Sequence, residues 1–251
     1  MPIALLPAAV SGLIIGSFLN VVAYRLPRKE SLATPGSRCP HCKHPVRAYD
    51  NVPVLSWLLL RGRCRDCGEP VSKRYPVVEA LTAALFAAIV AVHVEDDARL
   101  VLGIVLVAFL VPLTLIDIDL RLLPDRLMAP AAVLALVLGT ALDPGGEIER
   151  LIAAGAAGTF FFVAWYVKPG GMGFGDVKLV AVLGLFLGRS VAVAVFTALI
   201  AGVLVGAVVM RRKGVAEGRK TAVAFGPFLA LGGVVAVLAG EPLLDLYLDT
   251  F

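Results

Sequence analysis

Residues 100–117 read LVLGIVLVAFLVPLTLID, an uncharged and mostly apolar run that ends on an aspartate. A membrane-spanning helix needs about 20 such residues, so this stretch predicts a span that carries Asp117 at one end. A second stretch, Gly171-Met172-Gly173-Phe174-Gly175-Asp176, sets another aspartate against the end of an apolar run. Ionisable side chains at membrane depth are costly and are functional candidates by default. Two such sites suggest a pair.

The composition indicates an integral membrane protein. Of its 251 residues, 59% are hydrophobic and 17% are charged, against about 45–50% and about 25% in soluble domains. We therefore predict an all-α integral membrane protein with about eight transmembrane helices. The shortest candidate is the sixth. The candidate spans lie at 3–24, 77–94, 100–117, 127–142, 151–167, 177–188, 190–210 and 222–240.

The basic residues predict the orientation of these spans. Residues 25–75 form the large polar segment and hold eleven Lys/Arg against four Asp/Glu. Because basic loops stay in the cytoplasm, we expect this loop, Asp117 and Asp176 to share the cytoplasmic side of the membrane. The net charge of +4 thus reflects topology, and we expect the lipid bilayer and no nucleic acid as a partner. The predicted divisions are 1–24 (first span), 25–75 (cytoplasmic loop) and 76–251 (multi-span membrane domain).

The first apolar run is predicted to be a retained helix. It has no basic residue before it and no small-residue cleavage pattern after it. Both features distinguish it from a signal peptide.

All four cysteines lie in the large loop, as Cys39-Pro40-His41-Cys42 and Cys64-Arg65-Asp66-Cys67. Two Cys-x-x-Cys motifs with 21 residues between them match a tetrathiolate zinc site, because each motif turns two sulfurs toward one tetrahedral ion. In the reducing cytosol the thiols remain available as ligands. We therefore predict a structural Zn²⁺ held by Cys39, Cys42, Cys64 and Cys67, since a closed four-sulfur site leaves no position for a catalytic water.

The alternatives for these cysteines are two disulfides or four unligated thiols, which the predicted cytoplasmic side disfavours. His41 and His44 are other potential zinc ligands. With four thiols present, we interpret both histidines as solvated loop residues. The zinc would stabilise a loop that is too short to build its own core.

The two aspartates at the span ends indicate acid–base chemistry. Two carboxylates within about 3 Å cannot both ionise, so one keeps its proton while the other activates a water molecule. Asp117 and Asp176 are the predicted pair, and the reaction would be amide hydrolysis without a metal or a covalent intermediate. The alternative is that each is an ordinary carboxylate at the membrane interface.

Five neighbouring residues are predicted to support this pair. Gly173 and Gly175 allow turns that other residues avoid and let another chain approach closely. Asp119 and Asp125 are supporting candidates in the same stretch as Asp117, or else interfacial carboxylates; Asp125 would also favour the N-terminus of the next helix. Lys178 is the fifth candidate, or else extends its ammonium group toward water.

Together these motifs resemble the type IV prepilin peptidases, a family of membrane aspartic proteases with a Gly-x-Gly-Asp motif. The resemblance extends over nearly the whole chain and implies that Asp117 and Asp176 are the catalytic aspartates. It rests on the paired cysteine motifs and on Gly16-Ser17-Phe18-Leu19-Asn20-Val21, Arg74-Tyr75-Pro76-Val77-Val78-Glu79, the stretch from Asp117 to Asp125, Gly173-Phe174-Gly175-Asp176-Val177-Lys178-Leu179, and Phe225-Gly226-Pro227-Phe228-Leu229.

The resemblance also implies two activities. The enzyme would remove the leader of prepilins and pseudopilins after a glycine, then methylate the new N-terminal residue with S-adenosylmethionine. Gly62 and Arg63 match positions implicated in methyl transfer, and Glu79 is a further candidate for the cofactor site. The alternative for Glu79 is an interfacial carboxylate paired with Arg74 or Lys73. The sequence has no Rossmann-type glycine fingerprint, so the cofactor is implied by the resemblance alone.

Three other functions stay open. The first is a peptidase without methyltransferase activity. The second is a proton-coupled transporter, which predicts inverted repeats and acids near the bilayer midplane; the sequence shows neither. The third is a non-catalytic assembly factor that uses the zinc loop to hold a partner. The oligomeric state is not predicted.

Overall fold

The computed structural model describes residues 2–168, 170–214 and 224–250. Over these residues it contains helices, 3₁₀ turns and isolated β-bridges and no strand, which confirms the predicted all-α class. The helices are α1 (Pro2–Arg25), α2 (Leu55–Leu59), α3 (Arg74–His93), α4 (Asp97–Leu120), α5 (Asp125–Leu142), α6 (Glu147–Val167), α7 (Phe174–Leu187), α8 (Val191–Lys213) and α9 (Gly226–Leu248).

The described ranges contain seven helical segments long and apolar enough to cross a membrane, so this is a multi-pass membrane protein. One of the seven, Phe174–Arg212, has 39 residues and joins α7 to α8 through a 3₁₀ turn. Helix α7 has 14 residues and is about 21 Å long at 1.5 Å per residue, less than the roughly 30 Å hydrocarbon core. Each of the eight predicted spans corresponds to a helix, but α7 is too short to cross alone. Residues 222 and 223, where we predicted the last span to begin, lie outside the described residues.

The chain divides into two compact units, Met1–Val94 and Glu95–Phe251. In the first unit, α1 and α3 pack closely because glycines lie at their contact. A Cβ on Gly12 would lie 2.6 Å from the Cα of Ala83, and a Cβ on Gly16 would lie 2.9 Å from the Cα of Glu79. Small residues of this kind let membrane helices approach backbone to backbone.

The second unit has a core built by α4, α7 and α9. The side chains of Leu113, Ile116, Leu183 and Leu229 are at most 1% exposed. A Cβ on Gly233 of α9 would lie 2.9 Å from a methyl carbon of Leu183. This packing brings the end of α4 and the starts of α7 and α9 together, which is where the two aspartates lie.

Ion pairs lie at the end of the second unit opposite the aspartates. The buried Arg150 donates to Asp143 Oδ2 at 2.7 Å and to Glu147 Oε2 at 2.9 Å. Arg189, in the turn between α7 and α8, lies 3.7 Å from Glu241 of α9. The first two contacts tie the start of α6 to the residue that follows α5, and the third ties the turn between α7 and α8 to α9.

The compact units do not follow the division that we made from the sequence. The predicted boundaries at residues 24 and 75 separate apolar from polar sequence, whereas the unit boundary groups α3 with α1 and the loop. Our functional division therefore stays a prediction.

Candidate active site and metal centre

Asp117 lies in the last turn of α4 and is 5% exposed. Its Oδ2 accepts a hydrogen bond of 3.0 Å from the backbone N–H of Gly226, the first residue of α9. Just beyond it, Arg121 adopts a left-handed conformation with φ 52° and ends the helix. The fold thus buries this carboxylate at a helix end and holds one oxygen with a peptide from another helix.

Asp176 lies in the first turn of α7 and is 7% exposed. Its Oδ2 accepts a hydrogen bond of 3.0 Å from the backbone N–H of Gly173, the residue that precedes the helix. A carboxylate at this position caps the helix and is favoured by the helix dipole. The Gly-x-Gly-Asp stretch is therefore a helix start that fixes the carboxylate.

The glycines of this stretch have distinct structural reasons. A Cβ on Gly175 would lie 2.9 Å from the Cβ of Leu123, in the segment between α4 and α5. A Cβ on Gly173 would lie 3.3 Å from Asp176 Oδ2. The absence of side chains thus lets the segment after Asp117 pack on the start of α7.

The segment that follows Asp117 packs on the start of α7, where Leu123 contacts Gly175 directly before Asp176, so the fold places both aspartates in one region of the second unit. Each uses Oδ2 to accept a backbone N–H. Within the described residues, Oδ1 of neither carboxylate accepts a hydrogen bond from the protein. Such an oxygen can exchange a proton with water, which is what general acid–base hydrolysis requires of a carboxylate.

Gly226 is a site residue that we did not predict. The sequence contains it in Phe225-Gly226-Pro227, but that motif lies 109 residues from Asp117. A Cβ on Gly226 would lie 2.5 Å from Asp117 Oδ2. Only glycine therefore lets its own N–H reach the carboxylate, and the signal in the sequence was a glycine directly before a helix-starting proline.

The supporting polar residues separate into two groups. Lys178 donates from Nζ to Asp125 at 2.8 and 2.9 Å, which joins α7 to the first turn of α5. The same Nζ lies 5.2 Å from the ring centroid of Phe174. Asp119 is exposed at the end of α4. Lys178 therefore joins two segments of the site and does not contact Asp176 by hydrogen bond.

The four cysteines form one cluster whose Sγ atoms all lie within 4.8 Å of one another. The distances are 3.8 Å from Cys39 to Cys67 and 4.0 Å from Cys42 to Cys64. A tetrahedral ion with Zn–S bonds of about 2.3 Å requires sulfurs about 3.8 Å apart, whereas a disulfide requires about 2 Å. The donor set therefore fits a tetrahedral metal ion, and the disulfide alternative does not match it.

The two cysteine motifs have the same backbone geometry. Cys39 N–H donates to the carbonyl of His44, and Cys64 N–H donates to the carbonyl of Glu69, at 3.0 and 2.8 Å. The left-handed position that closes each turn is Lys43 with φ 63° in one motif and Gly68 with φ 74° in the other. Two equivalent turns thus present two sulfurs each to a shared centre.

The protonation of the cluster is uneven when no cation offsets its charge. Hydrogen bonds from the backbone N–H groups of Cys42 and His41 lower the pKa of Cys39 to about 6. The backbone N–H of Glu69 acts in the same sense on Cys67, but burial and the neighbouring sulfurs outweigh it and raise the pKa of Cys67 to about 12. A bound cation would remove this difference, because it favours every thiolate.

Salt bridges brace the second motif against the segment before α2. Arg65 donates to both oxygens of Asp50, the shortest contact being 2.6 Å. The Arg65 hydrogen bond lowers the pKa of the Asp50 carboxyl. Arg47 pairs with Asp66 at 3.1 Å. The residues between the cysteines of this motif therefore have structural partners.

Gly62, which we proposed as a cofactor residue, has a structural explanation. It has φ +68°, and a Cβ there would lie 2.7 Å from the ring of Trp57. Its N–H donates to the carbonyl of Trp57 at 2.8 Å. Its neighbour Arg63 is exposed. The glycine thus closes the turn after α2, directly before the second cysteine motif.

Glu79 is 6% exposed and has a specific partner. Its Oε2 accepts a hydrogen bond of 2.8 Å from the backbone N–H of Val54. The carboxylate thus ties the large loop to α3.

Comparisons with known proteins match this architecture. The model described as the bacterial peptidase A24 N-terminal domain matches residues 10–93, and the model described as the type IV leader peptidase family matches residues 104–210. Among curated proteins named prepilin leader peptidase/N-methyltransferase, that of Stutzerimonas stutzeri is 36% identical over 96% of this chain and 93% of the relative. The one from Neisseria gonorrhoeae is 39% identical over 96% of this chain and 92% of the relative. No solved structure matches the chain significantly.

Proposed function

The chain belongs to the family of type IV leader peptidases, and from that premise we propose that it is a bifunctional membrane enzyme. It cleaves the leader of type IV prepilins and pseudopilins after glycine at the cytoplasmic face of the inner membrane. It then methylates the new N-terminal residue with S-adenosylmethionine. The observation that carries the peptidase activity is the buried pair Asp117 and Asp176, held at facing helix ends within one compact unit.

The proposed hydrolysis uses the two carboxylates in different protonation states. The ionised aspartate takes a proton from a water molecule, whose oxygen attacks the scissile carbonyl carbon, while the protonated partner donates to the carbonyl oxygen. Breaking the C–N bond then leaves a carboxylic acid on the leader and an amine on the mature chain, which takes a proton. The N–H groups of Gly226 and Gly173 support this role because each fixes one oxygen of its aspartate.

The cysteine cluster supports a structural Zn²⁺ at Cys39, Cys42, Cys64 and Cys67. All four protein ligands would be sulfur, so the ion would supply folding energy to the loop and no open position for substrate. The first unit, which contains this cluster, is the part that the N-terminal family model matches. The resemblance to the family implies that methyl transfer belongs to that unit.

The test is mass spectrometry of a prepilin incubated with the purified protein in lipid and S-adenosylmethionine. The parent should remove the leader and leave the mature chain heavier by one methyl group. Asp117→Asn and Asp176→Asn should do neither with intact prepilin, but both should methylate a prepilin supplied already cleaved. Asp97→Asn, which changes an exposed carboxylate at the other end of the same helix α4, is the matched control and should retain cleavage.

Two results would contradict the proposal in different ways. Cleavage by both Asp117→Asn and Asp176→Asn at the parent rate would refute the aspartyl mechanism. Cleavage by the parent without methylation would leave a peptidase alone. If none of the proteins cuts the prepilin, the transporter and assembly-factor alternatives regain support.

A further inference from the structure

A cavity of about 300 Å³ lies in the first unit, between α1 and the large loop. One wall is the face of α1 that carries Ile14, Phe18 and Val21; the other is formed by residues 32–37 and by Asn51 and Pro53. Its size is at the lower end of small-molecule pockets, which measure about 300–1,000 Å³. Apolar groups thus face polar loop groups across a space that a small molecule can enter.

A polar side chain holds the first loop wall in place. Arg25 donates to the carbonyl oxygens of Ser31 at 3.0 Å and Pro35 at 2.7 Å. A guanidinium has five N–H donors, so Arg25 retains donors for an anionic group in the cavity that it also lines. Arg25 therefore ties the end of α1 to this loop wall.

The second wall contains a strained turn. Val54 has φ 61° and ψ −52°, and Leu55 N–H donates to the carbonyl of Pro53 at 2.6 Å across it. This is a γ-turn of the rare, strained kind, and a β-branched residue with positive φ is a true outlier. Such strain persists only where surrounding structure imposes it, and it clusters at functional sites.

The strained conformation of Val54 is imposed by Glu79. The buried carboxylate accepts the Val54 N–H at 2.8 Å, and α3 is held against α1 where Gly16 meets Glu79. The contact fixes the turn directly beside Pro53, a residue of the cavity wall. Glu79 is therefore a positioning residue for this wall.

We propose that this cavity is the binding site for S-adenosylmethionine, with Glu79 holding its wall; the inference rests on the methyltransferase half of the proposed function. The groups match the ligand in kind. Phe18 and Val21 offer apolar surface to the adenine ring, Ser37 and Asn51 offer hydrogen bonds to hydroxyls and ring nitrogens, and Arg25 offers a guanidinium to the carboxylate.

The position of the cavity also fits the methyl acceptor. The acceptor amine begins a chain that is anchored in the membrane, so the donor must bind at the membrane boundary beside a lipid-facing helix. Ile14 and Phe18 of α1 are 60% and 50% exposed. In the transfer, the unprotonated amine attacks the methyl carbon, the N–C bond forms, and the C–S bond breaks with its electron pair going to sulfur. The nitrogen then releases one proton to water.

The first test measures binding and needs no turnover. The parent and two variants of α1 in lipid nanodiscs are titrated with S-adenosylmethionine, and ultraviolet cross-linking of methyl-labelled cofactor is mapped by mass spectrometry. Val21→Trp should fill the cavity and raise the Kd about tenfold or more. Val10→Trp, on the same helix but outside the cavity lining, is the control and should bind as the parent does. Both variants should cleave prepilin.

The second test separates positioning from direct contact. Glu79→Ala should raise the Kd and lower cross-linking, whereas Glu79→Gln keeps an oxygen that accepts the Val54 N–H and should restore binding. Adding Val54→Gly to Glu79→Ala should recover part of the loss, because glycine adopts positive φ without a side-chain penalty. Zinc content should stay unchanged throughout, which excludes collapse of the loop as the cause.

The outcomes distinguish this inference from the proposed function. A parent that binds no S-adenosylmethionine overturns both. If the parent binds S-adenosylmethionine but the cross-links map away from residues 14–53, the assignment of this cavity is wrong. The same conclusion follows if Val21→Trp has the same Kd as the parent. Neither result contradicts the proposed methyltransferase activity. Equal loss in Glu79→Gln and Glu79→Ala would overturn the positioning role.

Discussion

Replacing Gly226 by alanine should reduce prepilin cleavage with little effect on methyl transfer. The added Cβ would lie 2.5 Å from Asp117 Oδ2, well inside contact distance, so either α9 or the carboxylate must move. Either movement breaks the 3.0 Å hydrogen bond from the Gly226 N–H. A hydrogen bond to a charged group contributes about 1.5–3 kcal/mol, which corresponds to a roughly 10- to 150-fold lower kcat.

The matched control is Gly240→Ala in the same helix α9. Its Cβ would lie 2.7 Å from the Cβ of Ser190, so it also disturbs packing, but at the end of the helix away from Asp117. Both variants should lower the Tm, and only Gly226→Ala should lower kcat for leader removal. Cleavage is followed by gel shift of a prepilin in lipid, and methylation by label transfer to a prepilin already cleaved. Equal kcat values for Gly226→Ala and Gly240→Ala would refute the role of the Gly226 hydrogen bond.

The remaining predictions concern stability. Lys43→Gly should stabilise the zinc loop by about 1 kcal/mol, because Lys43 takes the left-handed position that is a glycine in the second motif. This conformation costs non-glycine residues about 1–2 kcal/mol. A chelator titration of zinc release measures the change in stability. Removing zinc should unfold the loop while leaving cleavage by the aspartates largely intact, as proteolysis of the loop and the prepilin assay would show. Arg150→Met should lower stability by about 3 kcal/mol, the low end for a broken buried pair, because Asp143 remains 45% exposed; thermal melts measure the change. The hydrogen bond from Arg150 holds the pKa of Asp143 below its ordinary value of 3.8. The stabilisation from this pair is therefore present above about pH 4 and is lost as the pH falls through the lowered pKa. The Tm difference between the parent and Arg150→Met should narrow over that fall in pH.

Each of these outcomes has a result that would contradict it. Gly68→Lys should destabilise the loop as Lys43→Gly stabilises it, and an unchanged midpoint in both would argue against strain at Lys43. Loss of cleavage on chelation, at unchanged Tm of the second unit, would link the metal to the aspartates. A Tm difference for Arg150→Met that is constant between pH 3 and pH 7 would show that Asp143 is not the group involved.

Much of this protein was predictable because its determinants are local in the chain. A long apolar run specifies a membrane helix by its own composition, since the bilayer leaves backbone groups no partners but each other. The spans, the aspartates that end them and the Cys-x-x-Cys motifs all belong to this class. The sulfur cluster was predictable for a further reason: a tetrahedral ion restricts how two such motifs can meet.

Tertiary structure decided what joins residues distant in the chain. Nothing in the sequence shows that the N–H of Gly226 reaches Asp117, 109 residues away, or that Glu79 accepts a hydrogen bond from Val54. The sequence predicted separate spans at 177–188 and 190–210 and showed the first to be the shortest candidate, but it did not show that a 3₁₀ turn at Gly188–Ser190 joins the two helices. The sequence by itself determined which groups enter the membrane, through the cost of transferring them from water. The packing of helices determined which of those groups face one another, because contact depends on the relative position of elements that no local pattern encodes.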